Sequence, residues 1–383
     1  MAGPSVLLVG AGLTSSLTAS LLAQAAPSLS LTVWEKARGA GGRMATSRAP
    51  SCPSCTVDLG AQYLSPSSQE VEGQEYRALL EAGVIMPVNL DSIEGHRHAR
   101  DSLNFMAPGG ASSIVKHFMS KSGAKLEFGR QMTALEEREG RWRAVSACGQ
   151  EQQFDAVVIT MPVPQLLQLQ GDVAPKLEEQ GLLAGLQQVR YSTRFVLGLF
   201  HNEHVDLGVA WAAKYIPDHP VLRFAAVDSA KRGKAEGPTS VLVHSTVGWG
   251  AKHAKLSPKE AEPLLMKEVG EMFPSWPQPK ETKPLKWLYS QVLPPAPFSP
   301  APCPSGAARL SGVSWPRLGV LQPSPAPGRR RLHSQQFLWL SPVSTEPGGR
   351  AARDAGGVVR SRHHNNTNCP PKYLVSCLGL GAS

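Results

Sequence analysis

The segment VLLVGAGLTSSL, from Val6 to Leu17, restricts the folds open to this chain more than any other stretch. An apolar run breaks at Gly10 and Gly12 and gives way to a helical pattern, and a second apolar run ends beside the acid Glu35. These periodicities predict a strand over Ser5 to Val9, a tight turn over Gly10 to Gly12, a helix over Leu13 to Ala25 and a strand over Leu29 to Trp34. In a β-α-β unit of this kind the first glycine permits the turn and the second lets backbone approach a pyrophosphate. A third glycine would bring helix and strand together, and Ser15 takes its place. Serine is small and its hydroxyl can return to a helix carbonyl, so the change loosens packing without blocking phosphate. Gly10, Gly12 and Thr14 thus open a helix whose N-terminus attracts an anion. Glu35 stands where a carboxylate accepts hydrogen bonds from ribose hydroxyls.

With 383 residues and 42% apolar content the chain can build two domains with real cores. A net charge of +9 suggests a nucleic-acid or membrane partner until it is located. From Leu293 onward ten Lys or Arg face two acids, so eight of the nine charges lie in the tail and the body is nearly neutral. A solvated basic run accounts for GRRRLH better than a nucleic-acid site does. Six cysteines are too few for a disulfide scaffold of this length. Cys52 and Cys55 form a C-x-x-C with no second pair to complete a zinc site, so an ordinary loop and no metal are expected. Val6 to Ala26 lacks a basic leader and is broken by glycine, which favours a structural strand and helix over a cleavable signal. No other apolar run reaches the roughly twenty residues of a membrane span.

Further along, a helix is predicted over Ser112 to Ser122, a strand over Lys125 to Phe128, and a hairpin from Gln131 to Glu136 and Arg141 to Ser146. FDAVVIT (Phe154 to Thr160) reads as one strand buried on both faces. Half-exposed strands of antiparallel character follow at Phe195 to Phe200, Val209 to Ile216, Val221 to Val227 and Ser240 to Val247. A helix over Pro258 to Phe273 and the strand-like LKWLYSQV, ending at Val292, close the ordered part. The pattern is an α/β unit, residues 1–66 and 104–162, carrying an inserted α+β unit with an antiparallel sheet, residues 67–103 and 163–292. Residues 293–383 hold 14 of the 33 prolines and no periodicity, so they are expected to be a disordered tail.

Two further motifs identify the dinucleotide. RGAGGRMAT (Arg38 to Thr46) supplies, at Gly42 and Arg43, a second set of backbone N–H groups and a cation for the same pyrophosphate. DLGAQY (Asp58 to Tyr63) follows, with Gln62 and Tyr63 placed to reach a ribityl chain or ring. The order GxGxx, acid, GGRxxT, DxGxQ resembles the FAD-dependent amine oxidase superfamily. FMAPGGASSIVKHF, VVITMPVPQLLQLQGD, WAAKYI, GPTSVLVHSTV and PLKWLYSQV further resemble the renalase family, in order, from Ser5 to Val292.

The resemblance implies an FAD/NAD(P)-binding Rossmann-like domain of the p-hydroxybenzoate hydroxylase type with non-covalent FAD. It implies oxidation of dihydronicotinamide dinucleotides reduced at the 2 or 6 position to β-NAD(P)+, with O2 reduced to H2O2. Tyr215, His244 and Trp287 match positions that line the flavin face and would position the substrate. Amine oxidation on the same scaffold is the rival reading. The family's final strand and helix are missing after Val292, so a non-catalytic variant unable to hold FAD is a third reading. The resemblance points to an extracellular protein, with a cytoplasmic one as the alternative.

Overall fold

The computed structural model describes residues 3–96, 103–234, 236–293 and 319–321. At its centre Ala156–Ile159, Ser5–Val9, Ser30–Glu35 and Lys125–Phe128 lie side by side in that order as parallel strands. Strand residues alternate between faces, and here both faces are covered. Val6, Leu8, Leu31 and Val33 face Ala19 of the Leu13–Ala25 helix and Met119 of the Ser112–Ser122 helix. Leu7, Val9 and Trp34 face the opposite layer, where Trp142 and Phe154 are fully buried. Each large side chain buried this way contributes roughly 1.5–3 kcal/mol.

That opposite layer is the hairpin Met132–Arg138 and Arg141–Ser146 with Glu151–Phe154 beside it. Glu139 and Gly140 both take positive φ, the geometry of a two-residue hairpin turn. FDAVVIT is therefore split between two sheets rather than forming one strand. Asp155 marks the joint, its carboxylate accepting the Ser5 N–H and hydroxyl at 2.8 Å each.

The second large sheet runs Glu281–Trp287, Arg194–Phe200, Ser240–Ser245, Leu222–Val227, Ala213–Tyr215, Ile93–Glu94. It is antiparallel except for its last pair, which is parallel. The helix Pro258–Met272, opened by a Ser257–Glu260 capping box, covers one face through Ala261, Leu265 and Val269. Val57, in the hairpin Thr46–Arg48 and Thr56–Asp58, with Leu59 and Tyr63 just after it, covers the other. Thus the motif-bearing loops of the first unit are pressed onto the second sheet.

Strand ends depart from the periodic reading where side chains find other partners. Val209 and Trp211 pack against the cluster beneath the Pro258–Met272 helix, so only Ala213–Tyr215 enters the ladder. Ser240–Ser245 stops because the Thr246 hydroxyl caps the helix Val247–Lys252 at Trp249 N–H, 3.1 Å away. The last strand of this sheet along the chain is Glu281–Trp287, beginning four residues before LKWLYSQV. The expected disorder of 293–383 lies outside the described residues, apart from one correction. Gly319–Leu321 is a strand, antiparallel to Ala156–Ile159. That edge would otherwise present unpaired backbone N–H and C=O groups, and pairing with it needs backbone alone.

Candidate functional site

The two glycine loops meet backbone to backbone. A Cβ on Gly42, where φ is +53°, would lie 3.1 Å from the Gly12 Cα. One on Gly10, φ +103°, would reach the Thr160 hydroxyl at 2.8 Å. Gly12 caps the Leu13–Ala25 helix without a side-chain hydrogen bond, and no acid stands in the first turn. Those N–H groups and the helix dipole are open to an anion. Glu35 draws the arrangement together, one carboxylate oxygen accepting Ala11 N–H and the other Ala37 N–H, both at 2.7 Å. The hydroxyl of Ser15 is buried without a partner, and it is Ser16 that bonds back to the helix, at Leu13 O, 2.9 Å. The expected return of the Ser15 hydroxyl is thus made by its neighbour Ser16, which is equally buried.

DLGAQY locks onto the second loop. A Cβ on Gly60 would stand 1.8 Å from the Arg43 carbonyl oxygen, so no other residue fits this approach. Arg43 reaches the Ser290 carbonyl at 3.3 Å and forms no ion pair among the described residues. Burial pushes its guanidinium pKa down, as for a cation removed from water without an anion.

These parts line a cleft of about 1060 Å³. Its wall includes Gly10, Gly12, Thr14, Glu35, Gly42 and Arg43 from the glycine loops, and Gln62, Tyr63, His244 and Trp287 opposite. Tyr215 is not in the wall; its hydroxyl lies 2.6 Å from that of Tyr63, behind it. Gln62 turns its amide inward, donating to Asp58 O at 2.8 Å and Gly60 O at 2.9 Å and accepting from Lys231.

His244 and Trp287 share one acceptor. Trp287 Nε1–H donates to Leu59 O at 2.9 Å, and His244 Nε2 lies 3.2 Å from the same oxygen. A carbonyl only accepts, so the neutral imidazole carries its proton on Nε2 and leaves Nδ1 as an acceptor. Burial, reinforced by the Arg194 charge, pushes the His244 pKa down to about 3. His244 is therefore neutral at physiological pH and a weak base. Because its folded pKa lies below the ordinary 6.5, the unfolded chain binds the extra proton first. Stability attributable to His244 is whole above that value and falls as pH drops toward 3. Melting temperature should decline on acidification through this window, less steeply in His244→Asn. Equal slopes in the two proteins would contradict the assignment.

Beneath the cleft lies a cluster that the sequence reading missed. Asp58, Asp228, Lys231 and Arg232 are all buried. Lys231 Nζ lies 2.6 Å from Asp228 and 3.7 Å from Asp58, while Arg232 pairs with both carboxylates, at 2.9 Å for Asp58. The Asp58 carboxylate also accepts the Thr46 hydroxyl at 2.6 Å and Ala111 N–H at 2.8 Å. Burial raises the Asp58 pKa, opposed by the two cations. The available signal was DSAKR, an acid followed at three and four residues by cations directly after an apolar strand.

Among the described residues the charged groups of the cleft wall are Lys36, Arg43, Arg130, Arg194 and Lys286 against Glu35 alone. Arg130 is paired with Glu127 at 2.7 Å, and Lys286 donates to the carbonyls of Ala254 and Leu256. Cys52 and Cys55 are free thiols, Cys55 buried, and among the described residues no three metal-capable side chains cluster.

Comparison with known proteins agrees with this fold. A family of NAD(P)-binding Rossmann-like domains matches residues 8–77, and the flavin containing amine oxidoreductases match residues 74–299. The chain is 39% identical over 293 residues to renalase of Mus musculus, covering 75% of this chain and 85% of that one. Among solved structures, a putative protoporphyrinogen oxidase from Exiguobacterium sp. 255-15 superposes with a TM-score of 0.58 at 12% identity, over 77% of this chain and 88% of its own. A putrescine oxidase bound to putrescine gives 0.53 at 11% identity, over 74% and 84%. At such identities the structures speak for the fold alone.

Proposed function

We propose, for a chain that belongs to the flavin-containing amine oxidoreductase family and within it to the renalases, that the substrates are dihydronicotinamide dinucleotides reduced at the 2 or 6 position. The protein is a flavin-dependent oxidoreductase; FAD as the flavin, the substrate, and the residues that hold both are the parts proposed here. Residues 67–103 and 163–292 form the substrate side in this proposal.

The wall fits such a cofactor. Gly12 and Gly42 leave a cradle that a side chain would fill, the helix N-terminus carries no cap of its own, and Arg43 is a desolvated cation without a carboxylate. Gly10, Gly12, Thr14, Gly42 and Arg43 would hold the pyrophosphate, and Glu35 the ribose. Tyr63 and Gln62 would bound the ring end. The bound flavin supplies an acceptor for hydride and the means of reducing O2 to H2O2.

The observation that carries the substrate reading is the charge at the ring end. His244 and Trp287, held on one carbonyl, present flat neutral surfaces, and the cation beside them is Arg194. Glu35, the one acid of the wall among the described residues, belongs to the glycine-turn end. An amine is a cation at neutral pH and gains nothing from this environment, whereas a dinucleotide is an anion. Loss of hydride from a dihydropyridine yields a pyridinium without loss of a proton, so no strong base is required. His244, with its pKa near 3, suits orientation and not proton abstraction. Tyr215 acts through the Tyr63 hydroxyl, which it anchors.

Purified yellow protein, mixed without oxygen with 6-dihydro-NAD and separately with an amine, tests this. Rapid loss of flavin absorbance with the dihydronicotinamide is expected; bleaching by the amine alone overturns the reading. Protein that purifies without flavin would instead favour the non-catalytic variant.

A further inference from the structure

We propose that Arg194 is the phosphate-binding residue of the substrate side, selecting nicotinamides that carry a pyrophosphate over those that end at the ribose. This rests on the dihydronicotinamide reading and names the group that the protein recognises beyond the ring.

Arg194 opens the strand Arg194–Phe200 and pairs directly with Trp287, while His244 lies opposite Val196, two residues along. Residues two apart on a strand, and those opposite each other across a ladder, share a face. Arg194, His244 and Trp287 thus project from one face of the sheet into one cleft. The guanidinium there reaches only neutral acceptors, Ser245 O at 3.4 Å and Gln291 Oε1 at 3.3 Å. No carboxylate pairs with it among the described residues.

A half-buried cation without an anion is still penalised by desolvation, and here the cost is increased. Burial first, and then the like charge of Arg223, push the Arg194 pKa down. Arg223 stands at a bulge, where the register between Leu222–Val227 and Ser240–Ser245 shifts between Leu222 and Phe224. Bulges re-aim side chains, often beside functional sites. Arg223 lies outside the cleft wall, yet close enough for its charge to be felt at Arg194. An incoming phosphate relieves the repulsion and satisfies a planar fork suited to its oxygens. A protonated amine would add to the repulsion.

The test uses the flavin-loaded protein and two variants, Arg194→Met and Arg223→Met, which keep much of the aliphatic stem. Turnover is compared for 6-dihydro-NAD and for the 6-dihydronicotinamide riboside, which has no phosphate. Arg194→Met should lower the ratio of kcat/KM, dinucleotide over riboside, about tenfold, the scale of a lost charged hydrogen bond. Arg223→Met should lower it less. A ratio unchanged in Arg194→Met, with both substrates impaired alike, assigns Arg194 a structural role and overturns the proposal. Titration with inorganic pyrophosphate, read by perturbation of the bound flavin spectrum, separates the two readings. If neither nicotinamide is oxidised, the substrate reading fails, while pyrophosphate binding by the unmodified protein that weakens about tenfold in Arg194→Met still upholds the anion subsite. Equal binding by both proteins removes it.

Discussion

Asp228→Ala should destabilise the protein by about 3–5 kcal/mol, the cost of leaving buried charges uncompensated. At roughly 2–4 °C per kcal/mol for a folded unit of about this size, the melting temperature should fall by around 10 °C. Asp228 is wholly buried, and its carboxylate meets Lys231, Arg232 and the Asp58 N–H at 3.2 Å. In the intact cluster two carboxylates face two cations, so the net charge is zero. Removing Asp228 leaves two buried cations sharing Asp58, which must also serve Thr46 and Ala111. Lys231→Met in addition restores neutrality, so the second change should cost less in the Asp228→Ala background than alone. Thermal unfolding of the four proteins supplies the cycle; additive effects would show that the four groups do not act as one unit. Lys231 also holds the Gln62 amide oxygen at 2.8 Å, so loss of the cluster should loosen the DLGAQY loop and weaken flavin retention.

Arg43→Ala should weaken flavin binding roughly 10- to 100-fold while leaving the fold intact, since a charge-assisted hydrogen bond is worth about 1.5–3 kcal/mol. Among the described residues Arg43 has one long bond to the Ser290 carbonyl and no carboxylate partner. Its removal therefore leaves no charged group unpaired, only the Ser290 carbonyl without one long bond, and relieves desolvation in the flavin-free state. The ratio of flavin to protein absorbance after gel filtration measures retention, and titration with added flavin gives the affinity. Unchanged retention would remove Arg43 from the cofactor site. A large fall in melting temperature of the flavin-free variant would show that Arg43 supports the fold through the loop at Gly60, whose approach to its carbonyl is closest.

Much of the architecture was legible because its causes are local. Ser5–Val9, Leu13–Ala25, Ser112–Ser122 and Lys125–Phe128 match the periodic reading residue for residue, each being an apolar pattern with one buried solution. Errors arose where a distant partner competed with periodicity. Thr246 turned from strand to helix cap, and FDAVVIT divided at Asp155 because Ser5 claims its carboxylate. Gly10, Gly12 and Gly42 are marked in the sequence by their spacing, whereas Gly60, which makes the closest backbone approach of the four, becomes visible only where its Cα meets the Arg43 carbonyl.

The amino-acid order by itself determined the β-α-β frame, the two glycine loops and, through their combination, the family. Only the tertiary structure decided how the site is charged and held. His244 and Trp287 meet at Leu59 across 185 and 228 residues of chain. Tyr215 stands behind Tyr63, Arg194 faces the cleft without a carboxylate, and four buried charges from two distant segments neutralise one another beneath it. The physical reason is common to these cases. A side chain's charge state and hydrogen-bond partner depend on which groups exclude water around it, and that is settled by packing between segments far apart in sequence.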